Sequence, residues 1–438
     1  MCEPDRMSEG TGFHRAYRYR LRSNRKAEAV LRRWAGCSRK VWNLALAEQQ
    51  ARRERGEKYA GFAGMCQWVT TWRKAPETAY LAEVPVHVLQ NVVRALDGAF
   101  QRFFRKEGGY PKFKRRGDPI GLRETDVKCF SVDAANGRIR FPKVGWLRYR
   151  ASRPIEGRAI TATLRAEADG WYVSIACAFE PKALERGPKA CGIDRGVANF
   201  AAFDTGRRIA PLEAHKRSLQ RLRRYQRAVA RKIEAAKVAA GIPKGKPFPK
   251  GFRLQPSNRL RKAQARVAKI HQGIARQRAD FLHKLSTQIA REHALVCLED
   301  LKVRSMSASA AGTQEAPGKR VRQKAGLNRS ILDQGWSMFK DQLAYKLEWR
   351  DGVLVLVHPA YTSQRCHACA HTHADNRKGE VFRCRSCGHT DHADVNAAKN
   401  ILAAGHAVLA GDGQALVEGQ VQSGRPVKRE PTEGLRHA

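Results

Sequence analysis

Residues 366–400 read CHACAHTHADNRKGEVFRCRSCGHTDHADVNAAKN. Cys366-x-x-Cys369 and Cys384-x-x-Cys387 are matched pairs with 14 residues between them. Two such pairs joined by roughly 15–20 residues make a zinc ribbon, and this spacing lies at the short edge of that pattern. Four thiolates close a tetrahedron around Zn²⁺ and leave no open position, so such a site is structural. A redox reading needs one accessible pair rather than two matched ones. His367, His371, His373, His389 and His392 stand close by as substitute ligands, but four cysteines suffice. Seven residues after Cys387, Asp394 opens a helical pattern. A ribbon running straight into a lone carboxylate suggests a metal-dependent nuclease with the ribbon built into its active-site domain.

The rest of the chain is consistent with that reading. It has 438 residues, with 83 Lys plus Arg against 41 Asp plus Glu, a formal charge of +42. Each cation placed on a phosphate releases condensed counterions, which supplies most of the affinity for a nucleic acid. A solvated basic tail would be the ordinary source of such charge. The 42% of apolar residues argue for folded domains instead. No run approaches the roughly 18 apolar residues of a membrane span, and MCEPDRMSEG at the N-terminus lacks the apolar core of a secretion signal. The expectation is a cytoplasmic protein with reduced thiols. Seven cysteines stand singly, Cys2, Cys37, Cys66, Cys129, Cys177, Cys191 and Cys297, and read as packing.

Along the chain, Tyr17, Tyr19 and Leu21 alternate with Arg18, Arg20 and Arg22, which predicts a half-buried strand over 16–22. Ser23 or Asn24 offers an N-cap. Ala27, Leu31, Trp34, Val41 and Leu44 then follow helical spacing, and helix continues with breaks to about residue 104. In its last part Leu89, Val92, Val93, Leu96, Phe100 and Phe103 form one stripe, with Gln90, Asn91, Arg94 and Arg102 opposite. Strand signals return with YPKFKRR at 110–116 and with a hairpin over 159–179 turning at Asp169-Gly170. The helices therefore look inserted into a small β-domain. A second domain begins near Lys189 with two strands in CGIDRGVANFAAFDTG. Residues 211–290 read as a helical hairpin holding 21 Lys plus Arg against three acids. A charge run is usually a solvated face, but this one is too one-sided for a salt-bridged surface and predicts phosphate contact. ALVCLEDL at 294–301 and VLVLVHP at 353–359 read as buried strands, 302–327 as a mobile polar stretch, and 328–350 as one amphipathic helix. From Gly405 the chain reads as a disordered, electrically neutral tail.

Asp194 lies in a predicted strand, Glu299 ends another, and Asp394 opens a helix. Taken singly, each has an ordinary reading as a turn residue, a solvent-facing strand end or an N-cap. Together they match a ribonuclease-H-type sheet, in which acids from those three positions converge on Mg²⁺. Two ions then clamp the attacking water and the leaving oxygen of a phosphodiester displacement. Asp300 and Asp391 rank next.

GIDRGV (192–197), LVCLEDLKV (295–303), NRSILDQGW (328–336), YTSQRCHAC (361–369), FRCRSCG (382–388) and HADVNAAKNIL (392–402) occur in that order. They resemble the TnpB family, the RNA-guided nucleases of bacterial insertion sequences, which is similar to the compact type V CRISPR effectors. VLQNVVRALDGAFQRFF and GYPKFKRR extend the resemblance through the N-terminal half. It implies a multi-domain α/β protein. A RuvC-type, RNase H-like nuclease domain carries an inserted helical hairpin and zinc ribbon, and a β-barrel-like wedge domain with an inserted helical recognition domain precedes it. The implied division is 1–22 first wedge strand, 23–105 recognition helices, 106–187 remaining wedge, 188–365 nuclease with the basic hairpin 211–290, 366–388 zinc ribbon, 389–404 final nuclease helix and 405–438 tail.

By position, the resemblance makes Asp194, Glu299 and Asp394 the catalytic Mg²⁺ ligands, with two ions expected, and Cys366, Cys369, Cys384 and Cys387 the ligands of structural Zn²⁺. It implies a monomer that binds a guide RNA from the transposon end and cleaves double-stranded DNA beside a short transposon-adjacent motif, associating with the nucleoid when on DNA. Base pairing then reads the target while protein reads only the flanking motif. Gln90 and Asn91 suit bidentate contact with adenine edges. As ordinary helix-surface amides they need no such role, and family position favours Gln90. Lys112, Lys114, Arg115 and Arg116 are candidates for phosphate contact. Two departures stand out: Ala370 follows the first knuckle where Gly is usual, and Ala393 precedes the last acid where Arg is common. Competing readings are a compact CRISPR-associated type V effector, a guide-dependent DNA-binding regulator without cleavage, and a DNA transposase using the same acids.

Overall fold

The computed structural model describes residues 13–179, 185, 187–249, 251–252, 254–313 and 315–411. Cys2 and the tail expected beyond residue 411 lie outside the described residues. The chain divides into two compact units, residues 1–180 and 181–438.

The first unit opens with β1 (Phe13–Arg20), whose Tyr17 and Tyr19 are buried between exposed arginines as the alternation predicts. The Asn24 side chain caps α1 (Arg25–Glu54) by accepting from the Ala27 N–H. α1 buries Leu31, Trp34, Val41 and Leu46 against α2 (Phe62–Lys74) and α3 (Val86–Phe104). Leu44 is only half-buried. The 110–116 segment is not a strand. Side chains of α1 satisfy its backbone instead: Trp42 Nε1 donates to Lys112 O (3.0 Å), and Asn43 donates to Lys114 O and accepts from Lys114 N (2.8 and 2.7 Å). With those groups taken, no ladder partner is needed.

Next come β2 (Gly121–Glu124), β3 (Ser131–Asp133), β4 (Arg138–Phe141), β5 (Gly145–Arg148), β6 (Arg158–Glu167) and β7 (Gly170–Phe179). They form an antiparallel sheet β1-β7-β6-β2 and a smaller one β3-β4-β5. The β6–β7 turn falls on Ala168-Asp169, one residue earlier than expected, because Gly170, at φ +146°, already pairs with Glu167.

The second unit is built on one mixed sheet. β8 (Lys189–Asp194), β9 (Ala201–Phe203) and β10 (Arg208–Ile209) are antiparallel. α4 (Ala214–Ala239) and α5 (Asn258–Glu292) form the hairpin expected over 211–290, with Leu222, Ile270 and Ile274 at its core. β11 (His293–Glu299) then pairs parallel with β8. α6 (Val303–Met306) and α7 (Val321–Gln334) occupy the two ends of the stretch read as mobile, and α7 runs on into the start of the predicted 328–350 helix. That helix is two, because Gly335 at φ +74° separates α7 from α8 (Trp336–Glu348). The buried Asp333 carboxylate accepts the His215 N–H (2.9 Å) and an Arg278 N–H (2.7 Å), which pins the end of α7 to the hairpin base. β12 (Val353–Val357) completes the order β10-β9-β8-β11-β12.

The ribbon follows, with β13 (Arg377–Lys378), β14 (Val381–Arg383) and β15 (Thr390–His392), and leads into α9 (Ala393–Ala410). The helix therefore runs six residues into the segment expected to be tail. Its faces explain the strand sequences. Cys191, Ile193, Val296 and Leu298 pack toward α5 and α8, whereas Cys297, Val355 and Val357 pack with Ile401 of α9. By the two-residue period of a strand, Gly192 and Asp194 share the α9 side, as do Cys297 and Glu299. A Cβ on Gly192 would lie 2.1 Å from Ala398 O, and one on Gly405 would lie 2.1 Å from Cys297 Sγ. Both positions exclude any side chain if α9 is to lie on the sheet.

Gly192→Ala is expected to destabilise the second unit by at least about 3 kcal/mol, the upper end of ordinary overpacking, because the obstruction is backbone. An unchanged unfolding midpoint would show that α9 docks less closely. In the ribbon, Ala370 adopts φ +62° and its counterpart Gly388 +71°. A non-glycine residue there costs roughly 1–2 kcal/mol, so Ala370→Gly should raise the midpoint of the zinc-loaded chain by about 0.5–1 kcal/mol after the entropy of glycine is counted. A lower midpoint would contradict that account.

Candidate active site

Asp194 is the last residue of β8, Glu299 the last of β11, and Asp394 the second of α9. The parallel register that pairs Ile193 with Leu298 brings the first two acids to the same end of adjacent strands. Asp394 comes to them through α9, whose start is fixed by His392: its Nδ1 accepts the Asp394 N–H at 3.2 Å. Glu299 and Asp394 are 8% and 9% exposed.

The three carboxylates sense one another. Burial, then Glu299, then Asp394 push the Asp194 carboxyl up to about 7, with Arg377 opposing. Burial also raises Glu299, eased by the Thr362 hydroxyl, which donates to Oε1 at 2.5 Å. Clustered, desolvated acids resist ionising together. Their oxygens do not all come within 4.8 Å of one another, as the four cysteine sulfurs do.

Several residues that the sequence reading did not single out complete the site. Arg377, from β13, pairs with Asp394 Oδ1 at 3.0 Å, and Asn199 donates to Oδ2 at 3.1 Å. Arg195, almost fully buried, donates to the Glu299 carbonyl. Asn396 and Asn400, one turn apart on α9, both donate to Arg365 O (2.8 and 2.7 Å), and Asn400 also donates to Thr362 O (2.9 Å). Their i,i+4 spacing in HADVNAAKNIL was the available signal. Ala393 is fully buried with Cys366, Phe382 and Cys384, so position 393 faces the ribbon interior and cannot present a cation to phosphate. Asp300 and Asp391 are neutralised by Lys302 and Lys399 rather than joined to the other acids.

The four cysteines come together as expected. Cys366 and Cys387 sulfurs are 3.8 Å apart, and Cys369 and Cys384 sulfurs 3.6 Å. A tetrahedron with Zn–S bonds of about 2.3 Å has edges near 3.8 Å, so the donors fit zinc. Cys384 is already drawn toward thiolate, its pKa lowered to about 6 chiefly by the Cys387 N–H. Buried Asn376 braces both knuckles, donating to His371 O (3.3 Å) and accepting from Arg385 N (2.9 Å). No histidine replaces a cysteine in this group.

The candidate nucleic-acid contacts are more dispersed. Lys112, Arg115 and Arg116 are exposed on the 110–116 segment. Lys114 is half-buried, with its ammonium 4.5 Å from the Trp42 ring centre and its pKa lowered by burial, so it is partly committed to packing. Gln90 is half-buried on α3. Asn91 is spent internally, donating to His87 O, Arg123 O and Thr125 Oγ1. A cleft of about 390 Å³ between α4 and α5 is lined by Arg224, Arg231, Lys232, Arg259, Lys262 and Arg266. It gives the charge of the hairpin a concave surface.

Family models match three stretches: "Helix-turn-helix domain" over 13–58, "Probable transposase" over 174–310 and "Cas12f1-like, TNB domain" over 336–401. The first description does not fit the geometry, since β1 and the single 30-residue helix α1 occupy that stretch. The fold is shared with a Cas12f1–sgRNA–target DNA complex solved by cryo-EM, at TM-score 0.53 and 12% identity over 90% of this chain and 99% of that one. The chain is 41% identical to "Putative RNA-guided DNA endonuclease InsQ" of Escherichia coli (strain K12), covering 95% of this chain and 97% of the relative. It is 32% identical to "Putative RNA-guided DNA endonuclease" of Streptomyces pristinaespiralis, over 95% of this chain and 96% of the relative. At that identity and coverage the chain belongs to the TnpB family of insertion-sequence-encoded, RNA-guided DNA endonucleases.

Proposed function

We propose that this RNA-guided DNA endonuclease cuts target DNA through Asp194, Glu299 and Asp394, acting as the single catalytic centre of a RuvC-type, RNase H-like domain. The observation that carries this reading is the convergence of Asp194 and Glu299, at the same end of adjacent parallel strands, with Asp394 at the start of α9. Glu299 and Asp394 are 105 and 200 positions from Asp194 in sequence. Burial, then Glu299, then Asp394 raise the Asp194 carboxyl there. Acids held together at that cost are what a divalent-cation site requires. Mg²⁺ bound there would stabilise charge on the attacking water and on the leaving oxygen during in-line displacement at phosphorus. The chain's own contribution is positional. Thr362 and Arg195 fix Glu299 through its carboxylate and carbonyl, and Asn199 fixes Asp394. Arg377 holds positive charge beside the acids. The partners are a guide RNA and double-stranded DNA, and among the described residues no helix is long and apolar enough to cross a membrane.

The domain roles follow the same reading. The two sheets of the first unit serve as wedge, α1–α3 as recognition helices, and α4–α5 as a basic insertion that tracks phosphates by backbone contact. Lys112, Arg115 and Arg116, with Gln90, are assigned to nucleic acid, and Lys114 to a lesser degree. The ribbon at 366–388 is assigned a structural zinc that sets the start of α9. The protein is assigned to the bacterial cytoplasm, acting as a monomer in its ribonucleoprotein beside a short transposon-adjacent motif.

Two measurements test this. Purification after co-expression with the flanking transposon end should recover one discrete RNA, and Asp194→Ala should abolish Mg²⁺-dependent plasmid cleavage while target binding survives. Recovery of only heterogeneous RNA sinks the guided reading, and residual cleavage removes Asp194 from the centre. The acid cluster also predicts a pH dependence. A carboxyl whose folded pKa exceeds its unfolded value of about 3.9 contributes stability at low pH that is lost as pH rises. With Asp194 near 7, Mg²⁺-free wild type should fall behind Asp194→Asn progressively between about pH 4 and 7, by up to about 4 kcal/mol above that. Mg²⁺ should narrow the gap at pH 8. Denaturant midpoints measured across this range decide it, and a gap independent of pH would exclude carboxylate repulsion as its source.

A further inference from the structure

Cys129 reads in the sequence as one more packing cysteine. In the structure it is only half-buried and belongs to a cluster of donor groups in the first unit. Its sulfur lies 3.6 Å from His87 Nδ1 and 3.4 Å from Asp126 Oδ2. His87 Nδ1 is in turn 3.7 Å from Asp126 Oδ2 and 3.4 Å from Glu124 Oε1. The His87, Asp126 and Cys129 donor atoms all lie within 4.8 Å of one another. Glu124 is 0% exposed; its Oε1 accepts the N–H groups of Thr125 and Asp126, while Oε2 is buried with no hydrogen-bond partner.

We infer that His87, Asp126 and Cys129, with the buried Glu124 carboxylate beside the imidazole, form a second zinc site, separate from the ribbon. The spacings support this. Ligand bonds of about 2.0–2.3 Å in a tetrahedron give ligand–ligand edges of roughly 3.3–3.8 Å, and the three spacings among these donors, 3.4 to 3.7 Å, fall in that range. The donor set supports it too. One thiolate, one imidazole and carboxylates suit a borderline-soft ion, whereas Mg²⁺ and Ca²⁺ take oxygen. A buried carboxylate oxygen without a donor is costly unless something positive meets it. The orientation of Asp126 is fixed independently, since the Lys128 N–H binds its other oxygen at 2.8 Å.

The site joins the first turn of α3, which supplies His87, to the end of β2 and the turn after it, which supply Glu124, Asp126 and Cys129. Asn91, one turn further along α3, is hydrogen-bonded to the same junction through Arg123 O and Thr125 Oγ1. A bound ion would cross-link helix to sheet there and hold the face of α3 that carries Gln90.

The test uses the full chain purified from zinc-supplemented cells and desalted over chelating resin. Elemental analysis should give about two zinc ions per chain, falling to about one in Cys129→Ser and in His87→Ala, with Cys66→Ser unchanged. With cobalt(II) as the probe, the thiolate-to-metal absorbance should drop by about one fifth in Cys129→Ser, one thiolate of five. One zinc per wild-type chain, or two that survive both substitutions, overturns the proposal in favour of His87 simply in polar contact with the carboxylates. Where a variant fails to fold, the wild-type cobalt titration decides. A second equivalent must add single-thiolate absorbance after the ribbon is filled, and a flat response beyond one equivalent refutes the site.

Discussion

The second unit depends on how closely α9 can lie on the sheet. Two glycines set that distance, Gly192 on β8 and Gly405 on α9. Each faces an atom where even a methyl group would collide. Because strand side chains alternate, Gly192 necessarily shares its face with Asp194, so the residue that admits the helix and the residue that meets its carboxylate are two positions apart. Leu402 and Ala398 of α9 then sit over β8, and Asp394 falls at the strand ends one and more turns earlier. The geometry of the acids is thus a by-product of backbone packing.

The fold works against its own electrostatics at that point. A chain with net charge +42 confines three carboxylates to one partly buried site, where burial and then their repulsion raise Asp194. Cations are nearby but rationed. Arg377 reaches Asp394, while Arg195 is turned to the Glu299 backbone rather than to a carboxylate. Asp300 and Asp391 show the alternative: each has its own lysine, and each is held below the usual carboxylate range, Asp300 chiefly by Lys302 and Asp391 by Lys399 against its burial. Acids close in sequence therefore divide into those each held by a lysine of their own and those that face one another, a division that the pairing, not the residue type, creates.

Much of this was legible in the sequence because it is local. The strand ending at Asp194, the strand ending at Glu299, the helix opening at Asp394 and the two cysteine pairs each announce themselves within a few residues. What escaped was imposed from a distance. The apolar stripe of 328–350 runs straight through Gly335, and nothing near it reveals that Asp333 will be claimed by His215 and Arg278. YPKFKRR has the composition of a strand, yet Trp42 and Asn43 take its backbone groups from some seventy residues upstream. Lys114 looked like its exposed neighbours until Trp42 lay beneath it. Cys129 gave no signal because its partner His87 lies on α3, some forty residues upstream of the turn after β2 that holds Asp126 and Cys129. In each case one long-range hydrogen bond or contact overrode a local preference that was otherwise correct.

Asn396 and Asn400 carry a consequence for how the cysteine cluster and the acid cluster proposed as metal sites behave together. They fasten α9 to the 362–367 segment that enters the ribbon, so the thiolate cage and the Asp394 carboxylate share one rigid stretch of helix. Two ligands that favour the same conformation of a shared element must each strengthen the other's binding by the same factor. Zinc at the thiols and a divalent cation at the carboxylates, as proposed above, would then be thermodynamic partners. A cell short of one ion would load the other less readily, and the enzyme's response to magnesium would carry a record of its zinc supply.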